Sequence, residues 1–197
     1  MQVSWIICDK KGNKIREQNH YVNNNDFEIS RAAVKVHGLT KEFLQRNGKP
    51  RSQLLQLLTN DLLEFQPMVI GHFMELDYHI IGADYWREGM ENPLEKLSTF
   101  CIMKATRHLQ QNPYHKFLRL GELYQLLFKQ PLLNQHNAMT DATATADCFF
   151  ELINRNEISS FEQPAIVFPT PRKTSKRSGW LLLLILICAL LIASYYG

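Results

Sequence analysis

The sequence lacks the paired cysteines that a disulfide framework or a zinc knuckle needs. It contains four cysteines, and none of them forms a C-x-x-C pair. One of the four, Cys188, stands inside a long apolar run. These absences exclude a disulfide-stabilised scaffold and a zinc-knuckle protein, and they indicate a reducing compartment.

The first 170 residues also lack an excess of positive charge. The whole chain has a formal net charge of +3, but residues 171–197 contain no acid and four bases: Arg172, Lys173, Lys176 and Arg177. Without those four, 18 basic residues stand against 19 acidic ones, so residues 1–170 carry about −1. This part of the chain has no global basic signature for nucleic acid, which leaves only a local basic groove open.

The C-terminal segment, GWLLLLILICALLIASYYG, contains no charged residue. Its eighteen residues from Gly179 to Tyr196 would span about 27 Å as a helix, close to the roughly 30 Å of a hydrocarbon core. Trp180 and the pair Tyr195–Tyr196 stand where interfacial aromatic residues occur. A buried core helix is the alternative, but the position after a polar linker favours a transmembrane anchor. The basic flank then predicts single-pass membrane localisation with the large N-terminal part in the cytoplasm, and contact with the lipid bilayer.

The remaining pattern predicts an α/β domain with a mixed sheet over residues 1–157, followed by a Pro/Ser/Lys/Arg linker at 158–178 and the transmembrane helix at 179–197. A buried strand at Gln2–Cys8 and a returning strand at Ile15–Val22 flank a turn at DKKGN. Two further buried strands are predicted at MVIG and TFCIM, residues 68–71 and 99–103. Helices are predicted after Ser30 and Thr40, and at residues 52–65, 75–85, 118–128 and 140–154.

Asp77 is a candidate functional residue because it follows a buried strand and stands early in a predicted helix. Its helical neighbours include Met74, Ile80 and Ile81, so the carboxylate points near an apolar stripe. A charge there needs a cation or hydrogen bonds. The alternative is a first-turn aspartate stabilised by the helix dipole. The nearby acids Glu75 and Asp84 are expected to be solvated.

His136 and Asp141 form a second candidate pair in the stretch HNAMTDATATADCFFEL, residues 136–152. If His136 lies on the loop and Asp141 in the first helical turn, both side chains face one cleft. The small residues Ala142–Ala146 would let the helix pack closely on a sheet. The alternative makes Asp141 a dipole partner and His136 an ordinary loop residue.

These segments together resemble the DEDDh 3′–5′ exonucleases, the family of the proofreading epsilon subunit of bacterial DNA polymerase III. The resemblance covers residues 2 to about 155 and lies in AVKVHGLTKEFL, GHFMELD, FCIMKAT and HNAMTDATATADCFFEL. It implies an RNase H-like fold, in which helices flank a mixed sheet, and hydrolysis of phosphodiester bonds from the 3′ end of single-stranded DNA or RNA.

The resemblance also implies roles for individual residues. Asp77 and Asp141 correspond to metal ligands, which would hold two Mg²⁺ or Mn²⁺ ions beside the scissile phosphate. His136 corresponds to the general base. His72 and Phe73 correspond to substrate-binding positions, although Phe73 stands where many members have asparagine.

The first motif of the family, D-x-E on its central strand, has no counterpart in this sequence. Asp9 is no substitute, because it stands in a turn with Lys11 at the position that requires glutamate. Without that strand, the strands at residues 3–7 and 69–70 lose a pairing partner. We therefore expect upstream coding sequence with a buried D-x-E strand, and little activity from residues 1–197 alone.

Two other functions remain open. One is a catalytically inactive, exonuclease-like membrane module that binds nucleic acid or protein. The other is a scaffold without a nucleic-acid role. The choice between DNA and RNA as substrate, and the identity of any protein partner, are also open.

Overall fold

An antiparallel hairpin opens the computed structural model, which describes residues 1–23, 28–109 and 117–166. Strand β1 (Gln2–Cys8) pairs with β2 (Lys14–Tyr21). In the turn, the Asp9 carboxylate accepts hydrogen bonds from the backbone of Lys11 and Asn13. Gly12 has φ +87°, and a Cβ there would stand 3.1 Å from the Phe150 ring, so the turn needs glycine. The predicted hairpin is confirmed.

Three helices follow the hairpin: α1 (Arg31–His37), α2 (Lys41–Asn47) and α3 (Arg51–Phe65). Ser30 and Thr40 cap the first two by accepting hydrogen bonds from backbone N–H groups three residues later. Gly38 ends α1 with φ +73°. These boundaries agree with the predicted helix starts to within a residue or two.

A second, parallel strand pair consists of β3 (Val69–Gly71) and β4 (Thr99–Cys101), with α4 (Met74–Arg87) between them in the chain. The strand predicted at residues 99–103 is too long. Ile102 begins the short helix α5 (Ile102–Ala105), because both the backbone N–H and the hydroxyl of Thr106 bond to the Ile102 carbonyl. Two 3₁₀ turns, Pro93–Lys96 and Arg107–Leu109, flank this region.

One hydrophobic cluster lies where α6 (Leu120–Phe128) and α7 (Ala138–Asn154) pack together. Its buried members are Phe100, Ile102, Leu123, Leu127, Cys148, Phe149, Leu152 and Ile158. Helix α7 also packs against β1 and against β3. One helix therefore covers both strand pairs.

The described residues form two separate two-stranded sheets, one antiparallel and one parallel, rather than one continuous mixed sheet. This break agrees with the pairing partner that the strands at residues 3–7 and 69–70 were predicted to lack. Strands β1 and β3 were expected to be buried, yet Ile7 is the only buried residue of β1 and Gly71 the only one of β3. The cause is their pairing, since within the described part each strand forms a ladder along one edge only.

Asp84 was expected to be solvated, and this expectation is wrong. Its residue surface is only 6% exposed. The carboxylate lies 3.0 Å from Arg51 Nε and 2.9 Å from Arg87 Nη1, so two cations compensate for its burial. This ion cluster joins the start of α3 to the end of α4.

Residues 158–166, in the segment predicted as the start of the linker, pack on the domain. Ile158 is buried, and the Phe161 ring contacts the ring of Phe100. The Gln163 side chain accepts from the backbone N–H of Cys101 and donates to its carbonyl. The predicted transmembrane helix at 179–197 lies outside the described residues. None of the helices in the described part combines the length and the hydrophobicity of a membrane span.

A buried carboxylate attaches the hairpin to α3. Asp61 is 4% exposed, and it accepts hydrogen bonds from the Trp5 indole N–H, at 2.8 Å, and from Arg16. Arg16 also forms two hydrogen bonds with Glu64 and lies over the Phe65 ring. The hairpin is thus held by a charged hydrogen-bond network beside its apolar contacts.

We predict that Asp61→Ala lowers the free energy of unfolding by about 2–3 kcal/mol, because it leaves the Trp5 N–H unpaired and removes the buried partner of Arg16. Glu64→Ala removes an exposed partner of the same arginine and should cost less than about 1 kcal/mol. Urea denaturation followed by tryptophan fluorescence measures both. Equal losses for the two variants would show that the buried carboxylate has no special weight.

Candidate active site

Asp77 lies in the first turn of α4, directly after β3. The residue as a whole is exposed, and its carboxylate is partly desolvated by the surrounding protein. This partial desolvation raises the pKa of Asp77 to about 6, with a further contribution from the charge of Asp141. Two apolar residues predicted to neighbour Asp77 differ in exposure: Met74 is buried, whereas Ile80 is 40% exposed.

His136 and Asp141 lie at the start of α7 in the predicted arrangement. Asn137 caps the helix by accepting from the N–H groups of Met139 and Thr140. Asp141 lies in the first turn, and its carboxylate accepts a hydrogen bond of 3.1 Å from the backbone N–H of His136. His136 has φ +69°, a strained conformation for a residue with a Cβ, and its side chain is exposed.

Burial raises the pKa of Asp141, and the N–H and charge of His136 partly oppose this effect. The hydrogen bond from the His136 backbone leaves the imidazole available for other contacts. The carboxylate and imidazole are therefore presented together from one helix start.

The charge of Asp141 raises the pKa of Asp77, so the two carboxylates lie within electrostatic range of each other. Two neighbouring carboxylates favour a shared cation, and Mg²⁺ is commonly held by one or two carboxylates together with water and substrate phosphate. Binding of a divalent cation by Asp77 and Asp141 is therefore a prediction. Within residues 1–23, 28–109 and 117–166, no group of three or more acids, histidines or cysteines is arranged to hold a metal ion.

The two predicted substrate-binding residues differ in exposure. The His72 imidazole is half-buried, and its Nε2–H donates to the Leu118 carbonyl at 2.8 Å. Burial lowers the pKa of His72, which favours the neutral ring. Phe73 is 47% exposed and stands at the N-cap of α4 without forming a cap hydrogen bond. Their contact with substrate remains a prediction.

The sequence pattern did not identify Gln2, which positions the start of α7. Its side-chain carbonyl accepts from the Ala138 N–H at 3.2 Å, and its amide nitrogen donates to Asn19 at 3.0 Å. A polar residue in an apolar strand was the available signal. Its partner in α7 could not be read from the sequence, because 136 positions separate the two residues.

Comparison with known proteins places this geometry in a nuclease fold. The structure of exonuclease I superposes with a TM-score of 0.67 at 17% identity, covering 78% of this chain and 36% of that chain. A zinc-bound complex of the E. coli enzyme with single-stranded DNA gives the same TM-score at 16% identity, with the same coverage of both chains. A 3′-exonuclease that recognises the 3′ end of a histone mRNA stem-loop gives a TM-score of 0.58 at 10% identity, covering 78% of this chain and 82% of that one.

The sequence pattern of the RNase T exonuclease family matches residues 1–149. The chain therefore belongs to the exonuclease family. It spans about a third of the length of the exonuclease I chains that it resembles. No curated protein sequence matches it.

The raised pKa of Asp77 predicts a pH dependence of stability. A carboxyl group with a folded pKa near 6 binds protons more tightly in the folded state, so its stabilising effect is present below about pH 4 and is lost as the pH rises through about 6. Asp77→Asn should therefore flatten the decline in melting temperature between pH 4 and 7 relative to the parent chain.

Divalent cations compete with those protons, so Mg²⁺ or Mn²⁺ should raise the melting temperature of the parent at pH 7.5 more than at pH 5. Asp77→Asn and Asp141→Asn should both reduce this increment. Asp147→Asn, an exposed aspartate further along α7, is the matched control. An increment that persists unchanged in both site variants would exclude cation binding by this pair.

Proposed function

We propose that the chain is a 3′–5′ exonuclease that removes nucleotides from the 3′ ends of single-stranded DNA or RNA. The observation that carries this proposal is that Asp141 and the His136 loop meet at the start of α7, with Asp77 within electrostatic range of Asp141, in a chain of the exonuclease family. The similar structures include an exonuclease bound to a dA16 oligonucleotide and a 3′-exonuclease that recognises RNA, which supports a polynucleotide substrate of either kind.

Each site residue has a part in this chemistry. Asp77 and Asp141 would hold Mg²⁺ or Mn²⁺, whose charge would stabilise the scissile phosphate and acidify the attacking water. The exposed imidazole of His136 is available to take the proton of that water, and its backbone bond to Asp141 keeps it beside the carboxylates. Hydrolysis would release a nucleoside 5′-monophosphate. A two-ion site needs further acids beyond Asp77 and Asp141.

A second candidate function is a non-catalytic module of the same fold that binds nucleic acid or protein. It is favoured by one observation, that the described residues supply two acids and no cluster of three metal-binding groups. Such a module would bind single strands without shortening them. Direct measurement of cleavage separates the two functions.

We predict that, in a chain extended with the expected D-x-E strand, Asp141→Asn abolishes cation-dependent shortening of oligonucleotides, since it removes a charged ligand. His136→Ala should retain the cation-dependent rise in melting temperature and lose about 10²–10⁴ in rate, which is the usual contribution of a general base. Asp147→Asn, which makes the same change of charge on the same helix, should behave like the parent.

Oligonucleotides labelled at the 5′ or 3′ end distinguish the direction of cleavage. Stepwise shortening of the 5′-labelled strand supports 3′–5′ polarity. Binding without cleavage by a chain extended with the expected D-x-E strand supports the non-catalytic module. Cleavage that Asp141→Asn leaves unchanged contradicts the assignment of the site.

We further propose that residues 179–197 anchor the protein in a membrane, with the nuclease domain on the cytoplasmic side. The support is the uncharged run itself and the four basic residues before it. The full chain should float with liposomes in a density gradient, and residues 1–178 should not. A full chain that remains in the aqueous fraction without detergent would refute the anchor.

A further inference from the structure

We infer that Phe73, Arg107, Phe117 and Arg119 form a strand track that binds the unpaired nucleic-acid strand leading to the carboxylate pair. This inference deepens the proposed function and rests on it. The four residues come from three segments: the start of α4, the 3₁₀ turn after α5, and the residues before α6.

His72 brings these segments together. Its carbonyl accepts a hydrogen bond of 3.2 Å from the Met103 N–H, and its ring donates to the Leu118 carbonyl at 2.8 Å. Phe73 follows His72 directly, and Phe117 and Arg119 flank Leu118. The track is therefore held by two hydrogen bonds to one residue.

The track carries positive charge that the described part of the protein does not neutralise. Arg107 and Arg119 are exposed, and neither forms an ion pair with a described acid. The acid closest in sequence to Arg119 is Glu122, and its carboxylate accepts from the backbone N–H of Arg119. By contrast, Lys104 is paired with Glu75 at 3.0 Å. Two unpaired guanidinium groups on a domain of nearly zero net charge suit a polyanion.

Exposed aromatic rings stand among these cations. Phe73 and Phe117 are 47% and 43% exposed, and the Arg107 guanidinium carbon lies 5.9 Å from the centroid of the Phe117 ring. Cations beside aromatic faces are the combination that binds single strands, because every base can stack on a ring and every phosphate can pair with a cation. An apolar protein partner would explain the rings but not the unpaired arginines.

The track is continuous with the carboxylates. Asp77 follows Phe73 by four residues, and the exposed side chain of Ile80 lies three residues after Asp77, on the same face of α4. A base stacked on Phe73 would place its phosphate within a helical turn of Asp77. This face supplies apolar contact to the terminal bases, and the arginines contact phosphates further along the strand.

The test measures binding apart from cleavage. The full chain is titrated against 5′-fluorescein-labelled dT12 and rU12 in EDTA, at salt concentrations from 50 to 200 mM, and anisotropy gives Kd. We predict that the double variant Arg107→Gln/Arg119→Gln weakens binding and lowers the slope of log Kd against log salt by about 1.4, or 0.7 for each lost contact. Phe73→Ala should weaken binding at least about fivefold and leave that slope unchanged.

Controls separate the track from general effects. Lys10→Gln/Lys11→Gln removes two exposed cations from the hairpin turn and should leave the slope nearly unchanged. Arg107→Lys/Arg119→Lys should retain the slope, and Phe73→Trp should retain affinity, which excludes misfolding as the cause.

The outcomes distinguish this inference from the proposed function. The track would be overturned if Arg107→Gln/Arg119→Gln and Lys10→Gln/Lys11→Gln changed the salt slope equally, or if the parent did not bind. An effect of Phe73→Ala alone, insensitive to salt, would assign the surface to an apolar partner and also overturn it. If cleavage depends on Asp141 while the track variants bind like the parent, the track is wrong and the exonuclease assignment stands.

Discussion

The candidate site depends on helix α7 lying close against both strand pairs. Ala144 is 1% exposed, in the middle of the run of small residues that follows Asp141. Short side chains there let the helix approach β1 and β3, because interiors pack too densely to admit extra volume without displacement. The run of small residues explains why a charged first turn can be placed beside Asp77.

The position of α7 is reinforced at its first turn by polar contacts. Gln2 fixes the N–H of Ala138 to the start of β1, Asn137 caps the helix, and Asp141 bonds to the His136 backbone. These bonds use the N–H groups that a helix start leaves unpaired. They hold His136 in its left-handed conformation, and so the loop geometry of the histidine follows from the way the helix begins.

This arrangement partly removes the two carboxylates from water, which disfavours their charged forms. Asp77 and Asp141 both have raised pKa values, since each is partly desolvated, and the charge of Asp141 acts on Asp77. Two buried acids elsewhere have protein partners. Asp84 forms ion pairs with two arginines, and Asp61 is bound by Arg16 and the Trp5 N–H. Among the described residues, no lysine or arginine forms an ion pair with Asp77 or Asp141, the two acids assigned to metal binding. Such uncompensated desolvation is expected where stability gives way to function.

Local structure was readable from the sequence, because its hydrogen bonds connect neighbours. The turn at Gly12, the caps at Ser30 and Thr40, and the placement of His136 before Asp141 all involve residues within five positions of each other. Family motifs added the candidate roles of Asp77, Asp141 and His136. Tertiary structure decided what periodicity could not express: the half-exposed strands β1 and β3, the burial of Asp84 by Arg51, and the joining of His72 to Leu118 across 46 positions. Those features depend on which distant segments meet, and that is determined by the packing of the whole domain rather than by any local pattern.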